Sequence, residues 1–204
     1  MDISRLPLDL AGLLALAAGL GWASGFRLYT SIFVVGLAGK LGWVVLPEGL
    51  RLLESSWILG AAGLMLVLEF FADKIPLLDS IWDTVHTLIR IPAGAALAAM
   101  VFGGQGAEWQ TAMAILGGTL AAGTHLTKAG TRAMINASPE PFTNIATSSA
   151  EDIVVVTGLW LMFTHPLFML ALLLLQVALM IWLLPKLWHG IVLTIRRLFS
   201  PHRD

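Results

Sequence analysis

The stretch from Ile153 to Pro185 contains no Asp, Glu, Lys or Arg, and His165 is its one ionisable interruption. Two further uncharged runs, Leu10 to Phe26 and Ile91 to Ala107, approach the length of a membrane span. A helical span takes roughly 17 to 25 consecutive, mainly apolar residues, and a helix satisfies its own backbone hydrogen bonds inside lipid. Charged residues make up 12% of the chain, against about 25% in an ordinary soluble domain, and mean hydropathy is +0.83. These features predict an all-α polytopic membrane bundle rather than a chain closed around one water-soluble core.

Charge and composition exclude several functions. A formal net charge of −1 offers no basic surface for phosphate contacts, so nucleic acid is not an expected partner. The absence of Cys removes disulfides, thiolate chemistry and cysteine metal sites together. Acidic residues flank Arg5 at the N-terminus and no small-residue cleavage site follows, which reads as a retained first span rather than a signal peptide. Lys186, His189, Arg196 and Arg197 lie on an amphipathic tail over 186–204, with Trp188 near the interface. The positive-inside rule then predicts a cytoplasmic C-terminus.

Read in order, the chain predicts six or seven segments, some short or broken, within a single membrane domain over 1–204. A first helix from Leu8 to about Ser24 ends or bends at Ala23-Ser24-Gly25-Phe26-Arg27. Gly19, Gly21 and Gly25 read as packing residues, or alternatively as part of a discontinuous helix opening on a cavity beside Arg27, Tyr29, Thr30 and Ser31. A second span covers Phe26 to Val45, and Pro47-Glu48 closes it before a short polar connector. The third runs from Ser56 to Asp73. A helix restarts after Pro76 and continues past Pro92 to Gly103, and another covers Trp109 to Asn136. The loop Ser138-Pro139-Glu140-Pro141 stops that helix. Ser148 and Glu151 fit a capping box at a new helix start, after which Ile153 to Phe163 and Leu167 to Leu184 supply the last two apolar segments.

Polar residues gather on two helix faces. Asp79, Asp83, His86 and Arg90 follow i, i+4, i+7, i+11, and His125, Lys128, Arg132 and Asn136 follow i, i+3, i+7, i+11, so each set shares one side of a helix. Glu69, Asp73, Arg27, Glu151 and Asp152 complete the candidate binding residues. An ionisable group inside a span is expensive unless paired or hydrated, and by default marks a pathway. Asp79, Asp83 and His86, with Glu69 and Asp73 nearby, suit a cation or a proton relay, and His125, Lys128 and Arg132 suit an anionic group. The expected partners are therefore the bilayer and a small charged solute, ion or lipid head group, with a homo-oligomer left open.

Two other readings stand beside transport. Asp79, Asp83 and His86, with Glu151 and Asp152, could ligate a divalent cation in a membrane-embedded enzyme. Asp-x-x-x-Asp-x-x-His is a weak pattern, however, and no G-x-S-x-G, phosphate-binding loop or dinucleotide fingerprint occurs. Asp79 and Asp83 could instead pair with Lys128 and Arg132 and simply fix the register of two packed helices.

Ala23 to Leu28 can be laid against Ala121 to Leu126, and Pro47-Glu48 with Ser55-Ser56 against Pro139-Glu140 with Ser148-Ser149. This would divide the chain into related halves, 8–104 and 108–185, of the kind found in secondary transporters. At DKIPLLDSIWDTVHTLIRIPAG and HLTKAGTRAMINASPEPFTNIATSSAED the chain resembles the bacterial integral membrane proteins known as domain-of-unknown-function family 4126, over most of Leu10 to about Leu174. The resemblance implies a bacterial inner-membrane setting and directs attention to these two motifs. It implies no activity, and the tail after Lys186 lies outside it.

Overall fold

The computed structural model describes residues 9–136 and 141–199. The expected stop at Ser138 to Glu140 and the residues around Arg5 lie outside this range, as do the side chains of Arg196 and Arg197. Six α-helices and one 3-10 helix make up the described chain: α1 (Leu10–Lys40), the 3-10 helix (Glu48–Glu54), α2 (Ser56–Ala72), α3 (Leu78–Val101), α4 (Ala107–Asn136), α5 (Pro141–Thr164) and α6 (Pro166–Phe199). Among the described residues there is no strand. The fold is the all-α bundle that the apolar runs predict.

Of the seven elements, α1, α3, α5 and α6 are each long and apolar enough to cross a membrane, which suggests a membrane protein. A fifth span results if the 3-10 helix and α2 are taken as one segment bent by 69°. The helices differ sharply in burial. Within the most apolar part of α1, 72% of residues are buried, against 17% in α6, so α1 is the centre of the bundle and α6 part of its rim. Leu16, Leu20, Leu28, Leu159 and Met162 close the core around α1, while Leu174, Ile181 and Trp182 of α6 face outward.

The segments expected as two spans around Gly25 form one helix, α1, which Asp9 caps by accepting a hydrogen bond from the Gly12 amide at 2.7 Å. The break is nevertheless real. Arg27 takes a non-helical conformation (φ −143°, ψ 78°) inside α1, and the Phe26 carbonyl next to it accepts a hydrogen bond from Lys128 Nζ at 3.3 Å. Local sequence marks a break alike whether the chain reverses or resumes its course. Here it resumes, and a neighbouring helix satisfies the freed backbone group.

The expected helix start at Ser148 is also corrected. Helix α5 begins at Pro141, about two turns earlier, because proline suits the first helical position, where no amide donor is needed. Ser148 and Glu151 thus lie inside the helix, and their side chains turn to other partners.

Helices α1, α3 and α4 approach closely where their side chains vanish. A Cβ on Gly21 would stand 2.5 Å from Gly117 Cα, one on Gly117 would meet Ala98 Cβ and the Gly94 carbonyl, and one on Gly94 would meet Ser24 Oγ and Ala121 Cβ. Lipid is as apolar as a leucine core, so close packing of this kind supplies attraction that burial from water cannot. The turn joining α2 to α3 holds Leu77 at φ 70°, a conformation costing roughly 1–3 kcal/mol in a non-glycine residue.

Gly117→Val should therefore destabilise the protein by about 1–3 kcal/mol or more, read as a lower thermal unfolding midpoint in detergent. Gly60 has nothing within 4 Å of an added Cβ, and Gly60→Ala should be neutral or stabilising by up to about 1 kcal/mol. Equal losses at the two positions would contradict the packing account.

Candidate functional site: a buried ion-pair network

The two predicted helix faces meet. Asp79, Asp83, His86 and Arg90 are all buried on α3, and His125, Lys128 and Arg132 are buried on α4, with Asn136 half-buried at its end. Lys128 Nζ stands 3.2 Å from Asp83 Oδ1, and Arg132 stands 3.8 Å from Asp79 Oδ2. These are the contacts of the reading in which the charges pair and fix helix register. They are also only part of a larger network.

Glu69 and Asp73 sit one turn apart at the end of α2 and are fully buried. Glu69 pairs with Arg90 at 2.7 Å, and the same guanidinium reaches Asp83 at 2.6 Å. Asp73 holds Lys128 and Arg27 through one oxygen, at 2.5 Å each. The break in α1 thus aims Arg27 at the junction of α2, α4 and α5. On α5, Arg27 meets Asp152 at 2.9 Å and donates to Ser148 Oγ at 2.9 Å. Arg132 joins α4 to α5 through Glu151 at 2.9 Å and through a close contact with the Asn144 side chain. Asn136 and Asn144 in turn donate to the two oxygens of Asp79, at 2.8 and 3.1 Å.

The result is a continuous chain of alternating charge from Glu69 to Asp79, drawn from five helices. Its most exposed members are Lys74 and Asp152, 3.1 Å apart, at the surface end of the Arg27 branch. Moving an ion out of water into a low-dielectric interior costs several kcal/mol even after relaxation, and pairing offsets that cost only when every partner stays in place. Removing one member leaves its neighbours charged and buried.

Histidine is less central than its spacing predicts. His86 Nδ1 donates to the Trp82 carbonyl at 2.8 Å, and its ring stacks on Trp82 with Tyr29 edge-on. His125 lies nearer the charges and is neutral by its contacts. Thr87 Oγ1 already donates to the Asp83 carbonyl at 2.9 Å, so at its 2.7 Å contact with His125 Nε2 the ring must donate. Arg90 can only donate, so at 3.3 Å His125 Nδ1 accepts.

Asp79, Asp83 and His86 do not converge as a metal centre. Asp83 faces Arg90 and Lys128, Asp79 faces Arg132 and two asparagines, and His86 faces Trp82. Among the described residues no three His, Asp or Glu side chains are grouped to hold a metal ion.

Asn144 escapes the sequence reading, and Ser148 enters it only as a cap. Asn144, Ser148 and Glu151 stand at i, i+4, i+7, the same periodicity that singles out α3, so a signal was present once α5 is known to start at Pro141. A largely apolar groove of about 630 Å³ is lined mainly by α5 and α6, with Trp22 of α1 and Thr127 of α4, and by none of the network's charged residues.

A family model described as a domain of unknown function (DUF4126) matches residues 14–186. No curated protein and no solved structure matches the chain.

The burial of these contacts sets the expected cost of breaking them. Arg132→Met strands Glu151 and Asp79 and should destabilise the protein by about 3–5 kcal/mol. Lys74→Met, at the partly exposed end, should cost about 1 kcal/mol or less. Denaturant unfolding in bicelles measures both, and similar effects would contradict the buried network.

Proposed function

The chain belongs to the DUF4126 family, whose description assigns no activity, and we propose that it moves a small charged solute or a lipid head group across the membrane. The observation that carries this reading is the buried ion-pair network, with Arg27 delivered to its centre by the break in α1. A bundle that needed only stability would gain as much or more from apolar packing of equal volume. Ionisable groups in membrane helices otherwise mark transport or relay sites, and interrupted helices with freed carbonyls are where transporters bind their cargo.

In this reading the contacts seen here are the closed arrangement. Arg27, Lys128 and Arg132 hold carboxylates that an incoming anionic group would displace, and Asp73, Asp79 and Asp83 hold cations that an incoming cationic group would displace. Exchange of internal partners for those of the solute avoids exposing bare charge to lipid at any stage. The protein would reside in the bacterial inner membrane with its C-terminus in the cytoplasm, where Lys186, Arg196 and Arg197 satisfy the positive-inside rule. The two arms meeting at the site would be related halves, 8–104 and 108–185.

The Lys128–Asp83 and Arg132–Asp79 contacts favour a second reading, in which the charges only fix helix register. Purified protein in liposomes separates the two. The panel comprises sodium, phosphate, small carboxylates, amino-acid zwitterions and a fluorescent phospholipid, with thermal shift measured alongside, with and without chelator. Transport predicts that one class both stabilises the protein and crosses the membrane, and that Asp83→Asn and Arg132→Gln each slow it by at least about tenfold, equivalent to about 1.4 kcal/mol. Full transport by both variants, or no response to any member of the panel, would sink the proposal. A response lost only with chelator would favour the metal-dependent alternative.

A further inference from the structure

The charges of the network do not balance. Its cations are Arg27, Lys74, Arg90, Lys128 and Arg132, and its carboxylates are Glu69, Asp73, Asp79, Asp83, Glu151 and Asp152. Five positive groups face six negative ones, and Lys74 with Asp152 already forms a matched pair at the rim. The excess negative charge therefore falls among groups that are almost fully buried. His125 does not supply the missing charge, because one ring nitrogen donates while the other accepts. An uncompensated carboxylate in such surroundings takes up a proton rather than remain ionised.

The contacts identify which carboxylate is least compensated. Asp73 touches two cations, as does Asp83. Glu151 lies 2.9 Å from Arg132 and 3.9 Å from both Arg27 and Lys128. Asp79 has a longer ion pair but accepts hydrogen bonds from Asn136, Asn144 and the Ser80 amide. Glu69, Asp73 and Asp83 each leave one buried oxygen without a protein donor, Oε2, Oδ1 and Oδ2 respectively, but Glu69 alone of the three has a single cation, Arg90, which it shares with Asp83. The other ionisable groups around Glu69 are Asp73 on its own helix, Arg27 and Tyr29 on α1, and Lys128 on α4.

We propose that Glu69 is a proton-binding site, holding one proton at neutral pH and leaving the rest of the network electrically balanced. This deepens the transport reading, on which it rests for its functional meaning, by giving that site a resident proton as its ion. The proton rests on Oε2, which no protein donor reaches, while Oε1 continues to accept from Arg90.

Infrared spectroscopy of the full chain in lipid tests this directly, because a carboxylic acid C=O stretch is resolved from the carboxylate bands. The wild type should show one such band at neutral pH, shifted by exchange into D₂O. It should disappear in Glu69→Gln, whereas Asp73→Asn and Asp83→Asn each remove the excess negative charge and should weaken it as Glu69 ionises, so that isotope labelling names the residue. Glu69→Gln, a neutral replacement for a neutral acid, should also leave the unfolding midpoint near that of the wild type. Carboxyl-¹³C labelling makes the assignment: the wild-type band should move with labelled glutamate and not with labelled aspartate, and in Glu69→Asp it should move with labelled aspartate instead, which separates Glu69 from Glu151. No band in the wild type, or a wild-type band that follows labelled aspartate, overturns the proposal. The band is read at rest without any solute, so a proton present without solute flux would remove the transport reading alone, and flux without the band would remove the proton alone.

Discussion

A charge inside this bundle must have its counter-charge within a few ångströms, and that constraint organises the rest of the structure. Asp73 shows it most plainly. One oxygen holds Lys128 from α4 and Arg27 from α1 at 2.5 Å each, so a single carboxylate at the end of α2 fixes the position of two other helices. Arg90 and Arg132 do the same on either side, joining α2 to α3 and α4 to α5. Helix register within the bundle follows from where these side chains must meet, as it follows elsewhere from knobs and holes.

Such meetings require short helix separations, and the glycines provide them. The contact of Gly21, Gly94 and Gly117 brings α1, α3 and α4 together on the side of the bundle that leads to Arg27, Arg90 and Lys128. Bulkier residues there would hold the helices apart and leave the ionic groups too distant to pair. Packing and electrostatics are therefore one design. The break in α1 belongs to it as well, since an unbroken helix would carry the Phe26 carbonyl in its own ladder and leave Lys128 one acceptor fewer.

Much of this was legible because the information is local. The faces Asp79 to Arg90 and His125 to Asn136 follow from helical spacing alone, and apolar surroundings make opposite charge their natural partner. The all-α architecture follows from uncharged runs such as Ile153 to Pro185. What spacing cannot supply is which elements come together. The roles of Asp73, Arg27 and Asn144 depend on the path between helices. His86 shows the converse, since it shares the charged stripe of α3 yet turns to Trp82. Ser148 with Glu151 satisfies a capping pattern without being a cap, because Pro141 starts the helix earlier and leaves both side chains for Arg27 and Arg132.

The most direct test of the central claim is a double-mutant cycle between Asp73→Asn on α2 and Lys128→Met on α4, scored by unfolding free energy in a fixed lipid environment. Residues in one ion-pair network couple by about 0.5 to 3 kcal/mol, whereas distant independent sites add within a few tenths. Coupling in the upper half of that range is predicted for a pair at 2.5 Å with both side chains fully buried. Additive effects of the two substitutions would contradict the claim that buried charge pairing holds these helices together.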